Sequence, residues 1–99
     1  MLRAEIIDGD RPRISIKYVN DLDREVVLPN PAPFEILSID GKVLYSPVSA
    51  QVIKTVAPGD TLVWEVDLAD VEDMDVNVFV VRLKLLEPRD TIIYIIRRG

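Results

Sequence analysis

Apolar and polar residues alternate with a period of two along most of the chain, and short runs of turn-forming residues interrupt the alternation. Such a period places successive side chains on opposite faces of a strand. No stretch longer than one or two turns has the 3.6-residue spacing of an amphipathic helix. The predicted strands are residues 2–8, 13–19, 25–29, 34–39, 42–46, 51–57, 61–68, 76–86 and 91–97. This pattern predicts an all-β fold, an antiparallel β-sandwich of about seven to nine strands, in one domain spanning residues 1–99.

Two glycine-containing pairs predict how neighbouring strands connect. Asp40-Gly41 is typical of a two-residue hairpin loop, because both residues tolerate a positive φ. Pro58-Gly59 suits the central positions of a type II turn, since proline fixes a negative φ and glycine supplies the positive one.

Trp64, the single tryptophan, follows the second of these turns. Counting in twos from the turn puts it on the same side as Leu62, Val66 and Leu68. A large aromatic side chain in an apolar row usually packs against the opposing sheet, so we expect Trp64 in the core. A platform that binds a ligand is the other interpretation.

The chain contains no histidine and no cysteine. It therefore lacks the most frequent general base, the commonest transition-metal ligands and the thiolate nucleophile. Ser15, Ser38, Ser46 and Ser49 stand outside any sequence pattern of a nucleophile elbow. We therefore expect no enzymatic activity and no cofactor, with a small enzyme as the less favoured alternative.

An acidic segment, DLADVEDMD at residues 67–75, has the oxygen ligands that a hard cation such as calcium prefers. The candidate ligands are Asp67, Asp70, Glu72, Asp73 and Asp75. Their spacing does not match an EF-hand loop, which needs a glycine at its sharp turn and a glutamate at its end. A solvated loop without a bound metal is the favoured interpretation.

The segment LPNPAPFEI at residues 28–36 has proline at alternate positions, Pro29, Pro31 and Pro33. Proline removes a backbone donor, so these residues are typical of a sheet edge that must not recruit another strand. A stiff loop that a partner recognises is the alternative, because such a loop loses little entropy on docking.

The distribution of charge along the chain bears on whether it binds nucleic acid. The formal net charge is −5, yet residues 82–99 hold five basic and two acidic side chains. The net charge, with Tyr94 the one aromatic residue among those basic groups, disfavours nucleic-acid binding.

Charged residues interrupt the apolar runs, so we expect no signal peptide and no membrane span, and the absence of cysteine suits the cytoplasm. Few labile residues and a preference for Arg over Lys are typical of some thermophile proteins.

A set of motifs between residues 14 and 68 resembles the intracellular proteinase inhibitor family of the BsuPI type. The motifs are Asn20 after a strand, the VVL strand at 26–28, Phe34-Glu35-Ile36 leading to Asp40-Gly41-Lys42-Val43, and Val56-Ala57-Pro58-Gly59-Asp60 before the Trp64 strand. The resemblance implies an immunoglobulin-like β-sandwich. In the namesake of the family it also implies inhibition of an intracellular serine protease.

The last two predicted strands form a hairpin around Pro88-Arg89. We predict Leu85 opposite Ile92, Leu83 opposite Tyr94 and Val81 opposite Ile96, which with Phe79 gives a continuous apolar face toward the core. The other face then mixes apolar and basic residues, namely Val78, Val80, Arg82, Lys84, Ile93, Ile95 and Arg97.

This second face is the candidate site for a partner, because a sheet face directed only at water seldom needs an apolar row. Its basic groups suit an acidic protein, or the acidic loop of a second copy in a homodimer. The sequence therefore predicts a non-enzymatic protein-interaction module, with inhibition of an intracellular serine protease as the sharper alternative. An ordinary surface with scattered apolar side chains remains the competing interpretation.

Overall fold

A computed structural model describes residues 1–30, 32–47, 52–71 and 77–98 of the chain. These ranges contain strands β1 Leu2–Ile7, β2 Arg13–Val19, β3 Val26–Asn30, β4 Phe34–Leu37, β5 Val43–Tyr45, β6 Val52–Val56, β7 Thr61–Asp67, β8 Val78–Leu85 and β9 Asp90–Arg97. One short 3-10 turn, Leu68–Asp70, follows β7. The predicted strands are confirmed to within about two residues at each end, apart from Gln51 and Val76, which lie outside the described residues.

The strands form three antiparallel sheets, in the orders β1-β2-β7, β3-β6 and β5-β4-β8-β9. Apolar side chains from all three sheets meet in one core, which includes Ile16 from the first, Leu28 from the second and Val81 from the third. The fold is the all-β antiparallel sandwich that the alternation predicts. Among the described residues, no helix has the length and the apolar character needed to cross a membrane.

Trp64 joins the first and third sheets, as the core prediction requires. Its ring lies 5.6 Å, centroid to centroid, from that of Phe34 in β4, which itself stacks on Tyr45. Phe34 is buried, whereas Trp64 is partly exposed and packs against the margin of the core. The prediction of a core residue therefore holds for the direction of the side chain, although the ring is not fully enclosed.

The two predicted turns are present, with one difference in length. Gly59 has φ +85°, and the Asp60 N–H donates to the Ala57 carbonyl at 3.0 Å, as a type II turn with Pro58 at its second position requires. The β4–β5 hairpin has a three-residue loop, residues 39–41, instead of the predicted two. Gly41 adopts φ +92°, and its N–H donates to the Ser38 carbonyl at 3.0 Å, so the glycine prediction holds while the loop gains one residue.

The β8–β9 hairpin differs from the predicted register by two residues. Leu85 lies opposite Asp90, Leu83 opposite Ile92 and Val81 opposite Tyr94. The loop occupies residues 86–89, because Leu86 and Glu87 leave β8 and form backbone hydrogen bonds with Val27 in β3. A shift of two residues keeps every side chain on its predicted face.

Tyr94 lies on the core face of this hairpin, opposite Val81, but its side chain is 36% exposed. It lies at the margin of the sandwich, where β9 runs beside β1 without pairing with it. A small hollow next to it is lined by Arg3, Glu5 and Lys17. The edge position of β9 explains why this aromatic ring remains in contact with solvent.

Candidate protein-binding face

The seven predicted partner-binding residues lie together on the outer face of the β5-β4-β8-β9 sheet. Phe79, Val81, Leu83 and Leu85 point into the core, so the residues between them on β8 point outward. The ladder sets Ile93, Ile95 and Arg97 beside those outward residues. All of Val78, Val80, Arg82, Lys84, Ile93, Ile95 and Arg97 are partly or fully exposed. We call this surface the outer face.

An apolar row crosses all four strands of the sheet on the outer face. Ile95 in β9 lies opposite Val80 in β8, Val80 lies opposite Leu37 in β4, and Leu37 lies opposite Val43 in β5. Ile95 is 52% exposed and Val43 is 41% exposed, while Leu37 is buried at the centre of the sheet. Such a continuous row is unusual for a sheet face that contacts water alone.

The neighbouring row combines an exposed isoleucine with an ion pair. Ile93, which is 57% exposed, lies opposite Arg82, and Arg82 lies opposite Glu35. An Arg82 Nη atom donates to a Glu35 carboxylate oxygen at 2.7 Å. An ion pair at such exposure contributes little to folding stability, but it lowers the charge at the centre of the face.

Two basic groups of the face have no ion-pair partner among the described residues, and they lie at its two ends. Lys84, beside Thr91, is at one end, and Arg97, beside Val78, is at the other. Along β8 these ends are separated by about 20 Å. An apolar centre between two basic ends is the charge arrangement that a partner would have to match.

A groove of about 590 Å³ adjoins the outer face at the Lys84 end. Its lining includes Pro29, Pro33 and Pro47 together with Arg82 and Lys84. The proline segment therefore borders the candidate face, and the Lys84 N–H donates to the Pro33 carbonyl at 2.8 Å. Pro31, the third proline of the segment, lies outside the described residues.

Sequence reasoning missed the contribution of β4 and β5 to the outer face. Glu35, Leu37 and Val43 are part of it, but the order of strands in the sheet is a tertiary feature that alternation does not encode. The signal that was present is parity, because inward Phe34 and Ile36 leave Glu35 and Leu37 on the opposite side.

The other candidate sites from the sequence have local structural roles or lie outside the described part. Ser38 Oγ donates to Asp40 and accepts from the Lys42 N–H, so this hydroxyl is engaged within the hairpin. In the described ranges, no three acidic side chains converge as metal ligands do. Asp67 pairs with Arg11 at 4.0 Å. Glu72, Asp73, Asp75 and Ser49 lie outside these ranges, so the favoured interpretation of the acidic segment, a solvated loop without a bound metal, stays a prediction.

Among the described residues, the groups with shifted pKa values are not part of the outer face. The Ser38 hydroxyl hydrogen bond lowers the pKa of Asp40. The hydrogen bond and charge of the N-terminal amino group lower the pKa of Asp21, and burial raises the pKa of Tyr18. These shifts suit structural contacts rather than acid–base chemistry at the face.

Two of the motifs that carry the family resemblance, Asn20 and the 56–60 segment, contact one another. Asn20 Nδ2 donates to the Val56 carbonyl at 2.9 Å, the Asn20 N–H donates to the Asp60 carbonyl at 3.0 Å, and the Gly59 N–H donates to the Asn20 carbonyl at 2.8 Å. These residues hold the end of β2 against the β6–β7 turn. They stabilise the fold and do not contribute to the outer face.

No protein-family model matches the chain, and no curated protein matches it at a significant level. Membership of the BsuPI-type family therefore stays a prediction, and only the geometry of this chain supports the candidate face.

Proposed function

We propose that this chain is a non-enzymatic interaction module that captures another protein on its outer face. The observation that carries the proposal is the apolar row Ile95–Val80–Leu37–Val43, which continues into exposed Ile93 and is flanked by basic residues. Several exposed apolar side chains grouped on one face with a polar rim are typical of protein-binding sites. The lack of cysteine is the reason for placing the module in the cytoplasm.

The charges on the face favour an acidic partner over a second copy. Two copies stacked with their strands aligned would place a basic end over a basic end, either Lys84 over Lys84 or Lys84 over Arg97. Each copy also has a formal net charge of −5, so the pair would repel at long range. A different protein with an apolar strip between acidic groups meets neither penalty.

Inhibition of an intracellular serine protease is the narrower form of the proposal, and it rests on the motif resemblance. It predicts that saturating purified chain abolishes the activity of such a protease in an extract of the source cells. Unchanged protease activity would remove this form and leave the general interaction module in place.

The test replaces exposed apolar side chains at the centre of the outer face with acidic ones. In the double variant Ile93→Glu with Ile95→Glu, two acidic groups replace the apolar contacts, so capture of an acidic partner should fall by about tenfold or more. The matched control is Val63→Glu, which changes a residue that is 58% exposed on the outer side of the β1-β2-β7 sheet. Circular dichroism and the melting temperature establish that both variants fold.

Affinity capture and amide hydrogen exchange provide the measurements. Wild type and Val63→Glu should retain the same partner, with slowed exchange in β8 and β9 of the complex and weaker binding as salt rises. Retention of that partner by the folded double variant, or exchange protection confined to other strands, contradicts the proposal. Self-association of the wild type that the double variant abolishes would assign the face to a second copy instead.

A further inference from the structure

Strand β6, VIKTV at Val52–Val56, is an exposed edge of the two-stranded β3-β6 sheet. Its first four residues are exposed, and Ile53 is 62% exposed. Four of its five residues are β-branched, which is the composition that favours strand pairing. In the described part of the chain, β6 pairs with β3 and with no other strand.

Hydrogen bonds on the far side of β3 show which backbone groups of β6 are open. The Val27 N–H donates to the Glu87 carbonyl at 2.8 Å, and the Leu86 N–H donates to the Val27 carbonyl at 2.8 Å. In an antiparallel ladder, the N–H and C=O of one residue point to the same side, and alternate residues point to opposite sides. Val27 is therefore turned away from β6, and the ladder bonds between β3 and β6 come from its neighbours in β3.

The same alternation fixes the open groups on β6. Because Val27 pairs with Thr55 and Pro29 pairs with Ile53, Thr55 and Ile53 direct their N–H and C=O away from β3. Pro29, which has no N–H, stands at a position where the β3–β6 ladder needs none. No backbone partner for Ile53 or Thr55 is present among the described residues. An occupant that satisfies this regular pattern has to be an extended strand.

Lys54 determines what kind of strand fits. In antiparallel self-pairing, the register in which Ile53 and Thr55 of one copy bond to Thr55 and Ile53 of the other places Lys54 opposite Lys54. Like charges directly opposite each other are destabilising, and a central lysine is a device by which natural edge strands avoid self-pairing. A foreign strand with an acidic side chain at that position gains an opposite-charge pair, and β-branched neighbours would cover Ile53 and Thr55.

We infer that the free edge of β6 is a strand-addition site for an extended segment of another protein, one that carries an acidic residue between β-branched residues. This surface shares no residue with the outer face. The inference therefore does not rest on the proposed function, and each fails or succeeds separately.

The test uses two synthetic peptides, TTVEVTT and its charge-reversed twin TTVKVTT, both capped at the ends. We expect the acidic peptide to slow amide exchange at Ile53 and Thr55 and to bind about fivefold more tightly than the basic twin at low salt. Lys54→Glu should invert that preference, a result that loss of folding cannot produce. Thr55→Pro should abolish the protection of the Ile53 amide, because it removes an outward N–H while leaving the bonds to β3.

Two outcomes overturn the inference. The first is that neither peptide protects the Ile53 and Thr55 amides, or that Lys54→Glu leaves the preference unchanged. The second is concentration-dependent protection of these amides in the wild type without peptide, accompanied by dimerisation in sedimentation, which would assign the edge to a second copy.

Discussion

Asn20 is fully buried although its side chain is polar, and each of its polar atoms has a partner. Nδ2 donates to the carbonyls of Arg24 and Val56, both at 2.9 Å, while Oδ1 accepts from the Leu22 N–H at 3.0 Å. A buried polar group costs little when it is fully hydrogen-bonded, and much when one partner is removed. The Asn20 side chain therefore links the 21–25 connection to β6 by hydrogen bonds.

Loss of the Asn20 side-chain hydrogen bonds should destabilise the folded state. We expect Asn20→Ala to lower the free energy of unfolding by about 2–4 kcal/mol, because it leaves a small cavity and a buried Val56 carbonyl without this donor. Urea unfolding measures the loss, with half-buried Asn30→Ala as the comparison, expected to cost less than about 1 kcal/mol. Equal losses in the two variants would show that the Asn20 hydrogen bonds are not what stabilises this region.

The β4–β5 hairpin has a local hydrogen-bond network that an NMR titration can detect. Asp40 accepts from Ser38 Oγ, and this hydrogen bond lowers the pKa of the exposed Asp40 carboxyl. We expect Ser38→Ala to raise the pKa of Asp40 toward its ordinary value in an NMR titration. Asp21 is the internal control, because its lowered pKa comes from the N-terminal amino group and should not change. An unchanged pKa of Asp40 contradicts this assignment.

The direction of the accompanying stability change follows from linkage. Because the folded state lowers the pKa of Asp40, ionised Asp40 favours folding above the ordinary carboxyl pKa. That contribution is lost as the pH falls through the lower pKa of the folded state. Ser38→Ala should therefore lower the free energy of unfolding at neutral pH. In acid, the free energies of unfolding of Ser38→Ala and wild type should lie closer together.

The β8–β9 hairpin shows which features of an element are local and which are not. Alternation alone assigned the outward residues of both strands, since parity depends only on neighbours in sequence. The register was wrong by two residues, because it depends on Leu86 and Glu87 bonding to Val27, far away in the sequence. Membership of Leu37 and Val43 in the outer face depends on strand order for the same reason.

For the molecule as a whole, the three sheets share one core rather than stabilising separate regions. Val26 of β3 and Val81 of β8 are both fully buried, and both belong to the same apolar cluster although they lie in different sheets. Further backbone bonds between Val27 and the 86–87 segment tie these two sheets together. A small sheet of two strands is not stable by itself, so β3-β6 should fold only with the rest of the sandwich.

Because the sheets share one core, we predict a single cooperative unfolding transition. Equivalent substitutions in β3 and β8 should destabilise the fold to a similar extent. Val26→Ala and Val81→Ala each remove the same buried atoms, so each should cost about 2 kcal/mol. For a domain of this size, that loss lowers the melting temperature by about 10 °C. Calorimetry should show a single peak that moves by a similar amount in the two variants, while exposed Val63→Ala leaves it nearly unchanged. A second, earlier peak in Val26→Ala alone would show that β3-β6 unfolds separately, because cooperative coupling through one core allows no such intermediate.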